Sequence, residues 1–325
     1  MHIAMLRLFS LLVTFFALTP LYGQKNNHLS RQADAVVATL LSRALTHDID
    51  AKACDYLINP SRQRGHKRLK QKVLSLMERS QPLIFTLVGF PFKSSNTKKN
   101  VLNSLPDQGE RAALMALQSL MDALSEHYPA GAKVQIYTDG LAFCDVIGVS
   151  YKTVIAYEHA LKRLATDLPS VTIITLQDLL PGLSPKEIQT QIKDEPYSSS
   201  LDDVQRQILK RRLLKEFDSP QGQKHLLKTS LYDLADEMHQ RSQQINSLYK
   251  KKFPPSVALS VHYQSDLGKK IGLSLCGGTL TPWHGVAVLR KDGSFEIRRK
   301  SDVEDTHTLT THHINGINCY FYSYK

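Results

Sequence analysis

Pro82-Leu83-Ile84-Phe85-Thr86-Leu87-Val88-Gly89 is the stretch on which the fold turns. It is short and apolar, and it is closed by Pro and Gly, which reads as a buried strand. Upstream, Ala33, Val36, Val37, Leu40 and Leu41 recur at helical spacing between Leu29 and Ala44. A basic segment, Arg62 to Lys72, then runs into a helical stretch ending near Ser80. Downstream, Asp107-x-x-Glu110 has the form of a capping box, in which a carboxylate accepts from N–H groups of the first helical turn. The helix it opens runs to about His127, with Ala113, Leu117, Leu120 and Leu124 on one face. Lys133 to Tyr137 and Val171 to Ile174 read as further strands, with a helix over Val154 to Leu164 between them. This alternation predicts an α/β fold with a Rossmann-like, mostly parallel sheet flanked by helices and joined by right-handed crossovers.

Beyond that core the pattern changes twice. Ser184 to Lys252 reads as almost entirely helical and polar, with Ser184-Pro185 as a helix start. Arg206 to Lys215 is basic and amphipathic, its apolar side formed by Ile208, Leu209, Leu213 and Leu214. It suits a solvated face, a phosphate-facing lid or a membrane-surface helix. After Pro254-Pro255 the chain turns to β, with strands expected at Val257 to His262, Lys270 to Leu275, Gly285 to Leu289 and Ser294 to Arg298. Asp292-Gly293 makes a hairpin turn between the last two. The alternating aromatics of Asn318 to Lys325 suggest an edge strand. The expected organisation is therefore a leader (1–23), a Rossmann-like portion (24–183), a helical insertion or lid (184–255) and a C-terminal β portion completing the catalytic domain (256–325).

Composition narrows the class. The 325 residues are 42% hydrophobic and 22% charged, as in a globular protein of one large domain or two ordinary ones. The net charge of +11 suits nucleic acid, anionic lipid or phosphorylated small molecules. The positive residues are spread out, with no interleaved aromatic–basic repeat, so small anions are favoured and no nucleic-acid partner is expected. At the N-terminus Arg7, the apolar stretch Leu8 to Leu18, Pro20 and Gly23 read as a secretory signal too short to span a bilayer. Export to the periplasm or the medium is expected, with an uncleaved cytoplasmic protein as the alternative. Cys54, Cys144, Cys276 and Cys319 are widely spaced and form no zinc motif.

Three segments carry chemistry. Phe90-Pro91-Phe92-Lys93-Ser94-Ser95-Asn96-Thr97-Lys98-Lys99 follows the first strand and collects ammonium groups, hydroxyls and an amide, which suit a phosphate or carboxylate. It is no Walker loop. Tyr137-Thr138-Asp139-Gly140-Leu141-Ala142-Phe143-Cys144-Asp145 places two carboxylates around a bend at a strand end, where they could orient an amine or move protons. Thr281-Pro282-Trp283-His284-Gly285-Val286 holds the single Trp beside an imidazole at a turn. His262, with Asp266, Lys269 and Lys270 nearby in sequence, is a second candidate base or anion ligand. His307, His312 and His313 match no metal spacing and read as a polar loop.

Taken in order, three groups of residues resemble the pyoverdine/dityrosine biosynthesis family of isocyanide (isonitrile) synthases. They are Phe90 to Asn96 with Leu105-Pro106-Asp107 and Glu110; Asp139-Gly140, Phe143, Asp145 and Gly148-Val149; and His262, Lys270 to Leu273, Thr281 to Val286 and Asp292-Gly293. The resemblance implies a Rossmann-like enzyme that converts the amino group of an aromatic amino acid, Tyr or Trp, to an isonitrile. Ribulose 5-phosphate supplies the carbon as co-substrate; no cofactor or metal is needed, and an Fe(II)/2-oxoglutarate oxygenase commonly acts downstream. On that reading His284, His262, Asp139 and Asp145 are the candidate catalytic acids and bases. Lys93, Ser94, Asn96, Lys99, Arg111 and Lys270 would hold the phosphate, and Phe143 and Trp283 would wall an aromatic ring. An exported homologue that binds a small anionic or amino-acid ligand without this catalysis is the alternative.

Overall fold

The computed structural model describes residues 27–45, 60–197, 201–217, 224, 226, 229–262, 264, 267–277 and 280–324. The expected leader, Cys54 and Asp266 lie outside them. Helix α1 (27–42) packs through Ala33, Val36, Val37 and Leu40, and α2 is Pro60–Met77. Then follow β1 (Leu83–Val88), α3 (Gln108–His127), β2 (Ala132–Tyr137), α4 (Gly140–Ile147), α5 (Tyr151–Leu164), β3 (Val171–Ile174), α6 (Leu176–Leu179), α7 (Pro185–Lys193), α8 (Asp203–Glu216) and α9 (Leu231–Lys252). The chain closes with β4 (Val257–Ser260), β5 (Ile271–Gly272), β6 (Val286–Leu289), β7 (Phe295–Arg298), β8 (His307–Ile314) and β9 (Ile317–Tyr324).

Five strands form one sheet in the order β3-β2-β1-β4-β5, and every pairing in it is parallel. The apolar run Leu83–Val88 takes its centre, as an all-buried strand must, paired to β2 on one side and β4 on the other. The order reverses at β1: the chain goes from β1 to β2 and β3, then returns to lay β4 on the far side. Ligands of doubly wound folds settle at the carboxyl ends of the strands beside such a reversal. The sheet thus draws two strands from beyond residue 256, so the C-terminal portion completes it.

A second sheet, β7-β6-β9-β8, covers that end of the molecule. The Asp292-Gly293 hairpin forms as expected, with Gly293 at φ 81°, where a side chain would be strained. Two expectations are corrected here. The C-terminal aromatic stretch is an interior strand, because β9 pairs with both β6 and β8. The histidine-rich stretch is no polar loop: His307, His312 and His313 lie on β8, with His307 packed on Tyr324 and His312 on Phe321. No group of metal-ligating side chains gathers among the described residues. No helix among them is long and apolar enough to cross a membrane.

Candidate active site

The three segments singled out in the sequence meet at the carboxyl ends of β1 and β2. The chain leaves β1 at Gly89, whose N–H donates to the Tyr137 carbonyl at 3.1 Å. Trp283 lies over this exit, so close that a Cβ on Gly89 would stand 3.3 Å from its ring. Phe90 packs against Trp283 with ring centroids 5.0 Å apart and the ring planes tilted by 55°. Its φ of 56° is a region non-glycine residues avoid, held here by tight packing.

Lys93 binds the loop to the Trp283 turn from below. Its Nζ lies 3.0 Å from Asp107 Oδ2 and 2.9 Å from Glu110 Oε2, and it donates to the Pro282 carbonyl at 2.9 Å. An ammonium has three protons, and these partners, with the Gly285 carbonyl at 3.4 Å, share all of them. The side chain is wholly enclosed. Lys93 is therefore a strut and not the open phosphate grip expected of it. Burial alone would lower its pKa, but the two carboxylates outweigh that and raise it. Burial drives Asp107 the other way for an acid, up to about 7. The capping box read from the sequence is present: Gly109 N–H donates to Asp107 Oδ1 and Asp107 N–H donates to Glu110 Oε2, each at 2.9 Å. Asp107 Oδ2 and the same Glu110 Oε2 also meet Lys93, while Glu110 Oε1 accepts from the Tyr157 hydroxyl at 3.2 Å, so one pair of side chains starts α3 and anchors the site loop.

The rest of that loop is also built inward. Ser94 Oγ accepts from Asn96 N–H and from Asn100 Nδ2, Asn96 Oδ1 accepts from Lys99 N–H, and Ser94 N–H donates to the Trp283 carbonyl at 2.8 Å. Ser94 and Asn96 are buried and shape the loop, whereas Lys99 is exposed. Arg111 departs further from expectation. Its guanidinium grips Asp167 at 2.8 and 2.7 Å and the Leu164 carbonyl at 2.6 Å, tying α3 to the end of α5.

Asp139 stands at the end of β2, at the N-terminus of α4, but its side chain makes no capping bond. Its Oδ1 is sealed from solvent without a hydrogen-bond partner, although part of the residue is exposed. Burial raises its pKa to about 6. A buried, partnerless carboxylate oxygen at a strand end is poised to receive a proton or a cation. Gly140 is what lets α4 approach: a Cβ there would meet the Pro91 carbonyl oxygen at 2.1 Å and Val154 Cγ1 at 2.7 Å. Gly140→Ala is expected to lower stability by about 1–3 kcal/mol through overpacking. A urea midpoint equal to that of the unmodified protein would refute the contact.

Asp145, the other acid of the segment, is already engaged. Gln189 Nε2 donates to it at 2.9 Å, and Arg241 and Lys193 pair with it at 3.3 and 3.6 Å. It locks α4 to α7 and α9, which removes it from the proton-transfer set. Phe143 is packed in the core of α4 and Trp283 in the roof of β1.

His284 follows Trp283 in a 3-10 turn, Pro282–His284, and is half-buried. Thr281 Oγ1 lies 2.8 Å from its Nδ1, which orients the ring. His262 is exposed just beyond β4, the other neighbour of β1. Lys270 is exposed just before the two-residue edge strand β5, which pairs with the last residues of β4.

Three participants were not singled out from the sequence. Tyr249 of α9 stacks on Phe253 (4.8 Å), which in turn lies 4.1 Å from Tyr137, and its hydroxyl donates to the Thr138 carbonyl at 3.3 Å. Glu158 of α5 accepts from Thr138 Oγ1 at 2.6 Å. Arg241 is the buried cation that pairs with Asp145. Glu158 and Arg241 were legible: Val154, Glu158 and Leu161 share one helical stripe, as do Leu234, Arg241, Ile245 and Leu248. A charge on an apolar stripe is a buried charge with a task.

Comparison with known proteins accords with this arrangement. Residues 73–225 and 211–311 match the profile of the family described as "Pyoverdine/dityrosine biosynthesis protein". An L-tryptophan isonitrile synthase of Fischerella ambigua is 31% identical, over 72% of this chain and 78% of its own length. An L-tyrosine isonitrile synthase of Xenorhabdus nematophila is 28% identical, over 76% and 79%. The crystal structure of the PvcA protein of Pseudomonas aeruginosa superposes with a TM-score of 0.78 at 25% identity, covering 90% of this chain and all of that one. The chain belongs to the pyoverdine/dityrosine biosynthesis family, as an enzyme of the isonitrile-synthase kind.

Proposed function

We propose that the protein converts the amino group of an aromatic amino acid to an isonitrile, with ribulose 5-phosphate as the carbon donor. The observation that carries this reading is the partnerless Oδ1 of Asp139, enclosed at the strand end where α4 abuts the first loop at Pro91. An amino acid arrives as an ammonium ion, and nitrogen attacks a ketone only after losing a proton. Asp139 is the acceptor for that proton, and His284 serves the carbonyl oxygen. Trp283 packed on Phe90, and the Tyr137–Tyr249–Phe253 cluster, make the surroundings of these strand ends aromatic. Exposed Lys98 is the cation of the first loop that this reading sets against a phosphate. Family membership supports the isonitrile chemistry, since the Fischerella and Xenorhabdus relatives are named for it.

The same reading proposes that no resident metal or cofactor is required and that an Fe(II)/2-oxoglutarate oxygenase consumes the product. Export through residues 1–23 is a separate proposal, tested by the N-terminal residue of the mature protein. For the reaction, the purified protein is incubated with tyrosine or tryptophan and ribulose 5-phosphate in the presence of a chelator. Mass detection of an isonitrile product is expected. Binding of the amino acid without any product would favour instead the homologue that keeps the fold and has lost the catalysis.

A further inference from the structure

We propose that Glu158 is a positioning residue for the reaction, forming with Asp139 a proton-sharing pair bridged by Thr138 at the carboxyl end of β2. Glu158 projects from the buried stripe of α5, is 1% exposed, and spends one oxygen on Thr138 Oγ1 at 2.6 Å. Its other oxygen, Oε2, is sealed without a partner, as is Oδ1 of Asp139, the residue that follows Thr138. Two acids, of which Asp139 is close enough for its charge to act on Glu158, therefore each keep one carboxylate oxygen unsatisfied. Such oxygens cost free energy unless they meet a proton or a cation.

The charged and titratable groups around the pair decide how many protons it holds. Lys162 of α5 acts on Glu158 favourably for its ionised form, but it is partly exposed and hydrogen-bonded at 2.6 Å to Asp178 of α6, which opposes it. Tyr249 of α9 and Tyr137 of β2 stay neutral, Tyr249 held far above its ordinary value by burial and then by the two acids. Desolvation first, and the Asp139 charge among the lesser causes, raise Glu158 to about 7, and burial raises Asp139 to about 6. Burial thus pushes both carboxyls up toward neutrality, and a neighbouring pair of such acids holds one proton and one negative charge most readily. That is the charge complement of a single primary ammonium group. When such a group docks, an N–H bond breaks and an O–H bond forms on Asp139. The neutral amine remains and no net charge is buried. Glu158 acts by keeping its own proton, so that Asp139 alone is ionised and takes up the one from the substrate.

This inference rests on the proposed amine chemistry, but the pair can be read without it. The test is infrared titration of the carbonyl stretch of protonated carboxyls in the full chain without substrate. It compares the unmodified protein with Glu158→Gln and Asp139→Asn. Gln retains the acceptor for Thr138, so the fold is expected to survive, which circular dichroism checks. Glu158→Gln is expected to remove the step near pH 7 from the difference spectrum; Asp107, which titrates in the same range elsewhere, cancels. Asp139→Asn is expected to move the Glu158 step downward, because the neighbouring charge is gone. A Glu158 that only braces Thr138 would be ionised at neutral pH and give no step, and an unmoved step in Asp139→Asn would show two independent acids; either result overturns the proposal. Intact infrared behaviour with no isonitrile formed would instead sink the reaction and leave the pair standing.

Discussion

Lys93→Met is expected to cost about 3–5 kcal/mol, a large share of the 5–15 kcal/mol that a domain possesses. Removing the ammonium leaves Asp107 and Glu110 facing each other in an enclosed space with no cation. It also releases the Pro282 carbonyl, so the Trp283-His284 turn loses its tether and turnover falls with stability. The penalty depends on pH with a definite sign. Asp107 already has its folded value raised to about 7, and loss of Lys93 raises it further. A raised acid contributes stability that is whole below its unfolded value and is lost as pH rises through the folded one. The deficit should therefore be small near pH 4 and greatest above pH 7. Urea unfolding across that range measures it, and Lys93→Met combined with Glu110→Gln should recover part of the loss at high pH. A single variant as stable as its parent at pH 8 would mean that the triad is not buried as described.

Asp139→Asn is expected to lower turnover by about two to four powers of ten, the range for loss of a general acid or base. Asn keeps the shape and cannot take a proton, so the effect should fall on kcat with little change in the fold. The same variant has an opposite effect on stability. Asp139 titrates at about 6 when folded, so its contribution is present below its unfolded value and is lost as pH rises through 6. The Asn variant lacks that loss and should be the more stable protein at pH 8, with the two alike near pH 4. Steady-state kinetics alongside thermal melts at the two pH values separate the effects. Undiminished turnover would remove Asp139 from the mechanism.

Much of this architecture was readable before any coordinates, and the misreadings have a common physical origin. The buried strand at Leu83–Val88, the capping box at Asp107 and the Asp292-Gly293 turn depend on local chemistry, which a linear sequence records directly. The gathering of the Lys93, Asp139 and Trp283 segments followed from strand ends and the family likeness. What failed was the assignment of side-chain partners. Lys93 and Arg111 look like free cations because the acids that claim them are known only after folding: Glu110 is 17 residues from Lys93, and Asp167 is 56 from Arg111. Asp145 was misjudged for the same reason, its cations lying on α7 and α9. The aromatic alternation of β9 reported which faces are buried but not how many neighbours the strand has.

The tether between Lys93 and the Pro282 carbonyl spans 189 positions of chain, and it sets an order of events during synthesis. A ribosome delivering this polypeptide has long released the first loop when the Trp283 turn emerges. Until then Asp107, Glu110 and Lys93 have no roof, and water competes for each of them. Catalytic competence consequently arrives all at once, when that turn emerges, and a nascent chain halted short of it carries the parallel sheet without the chemistry.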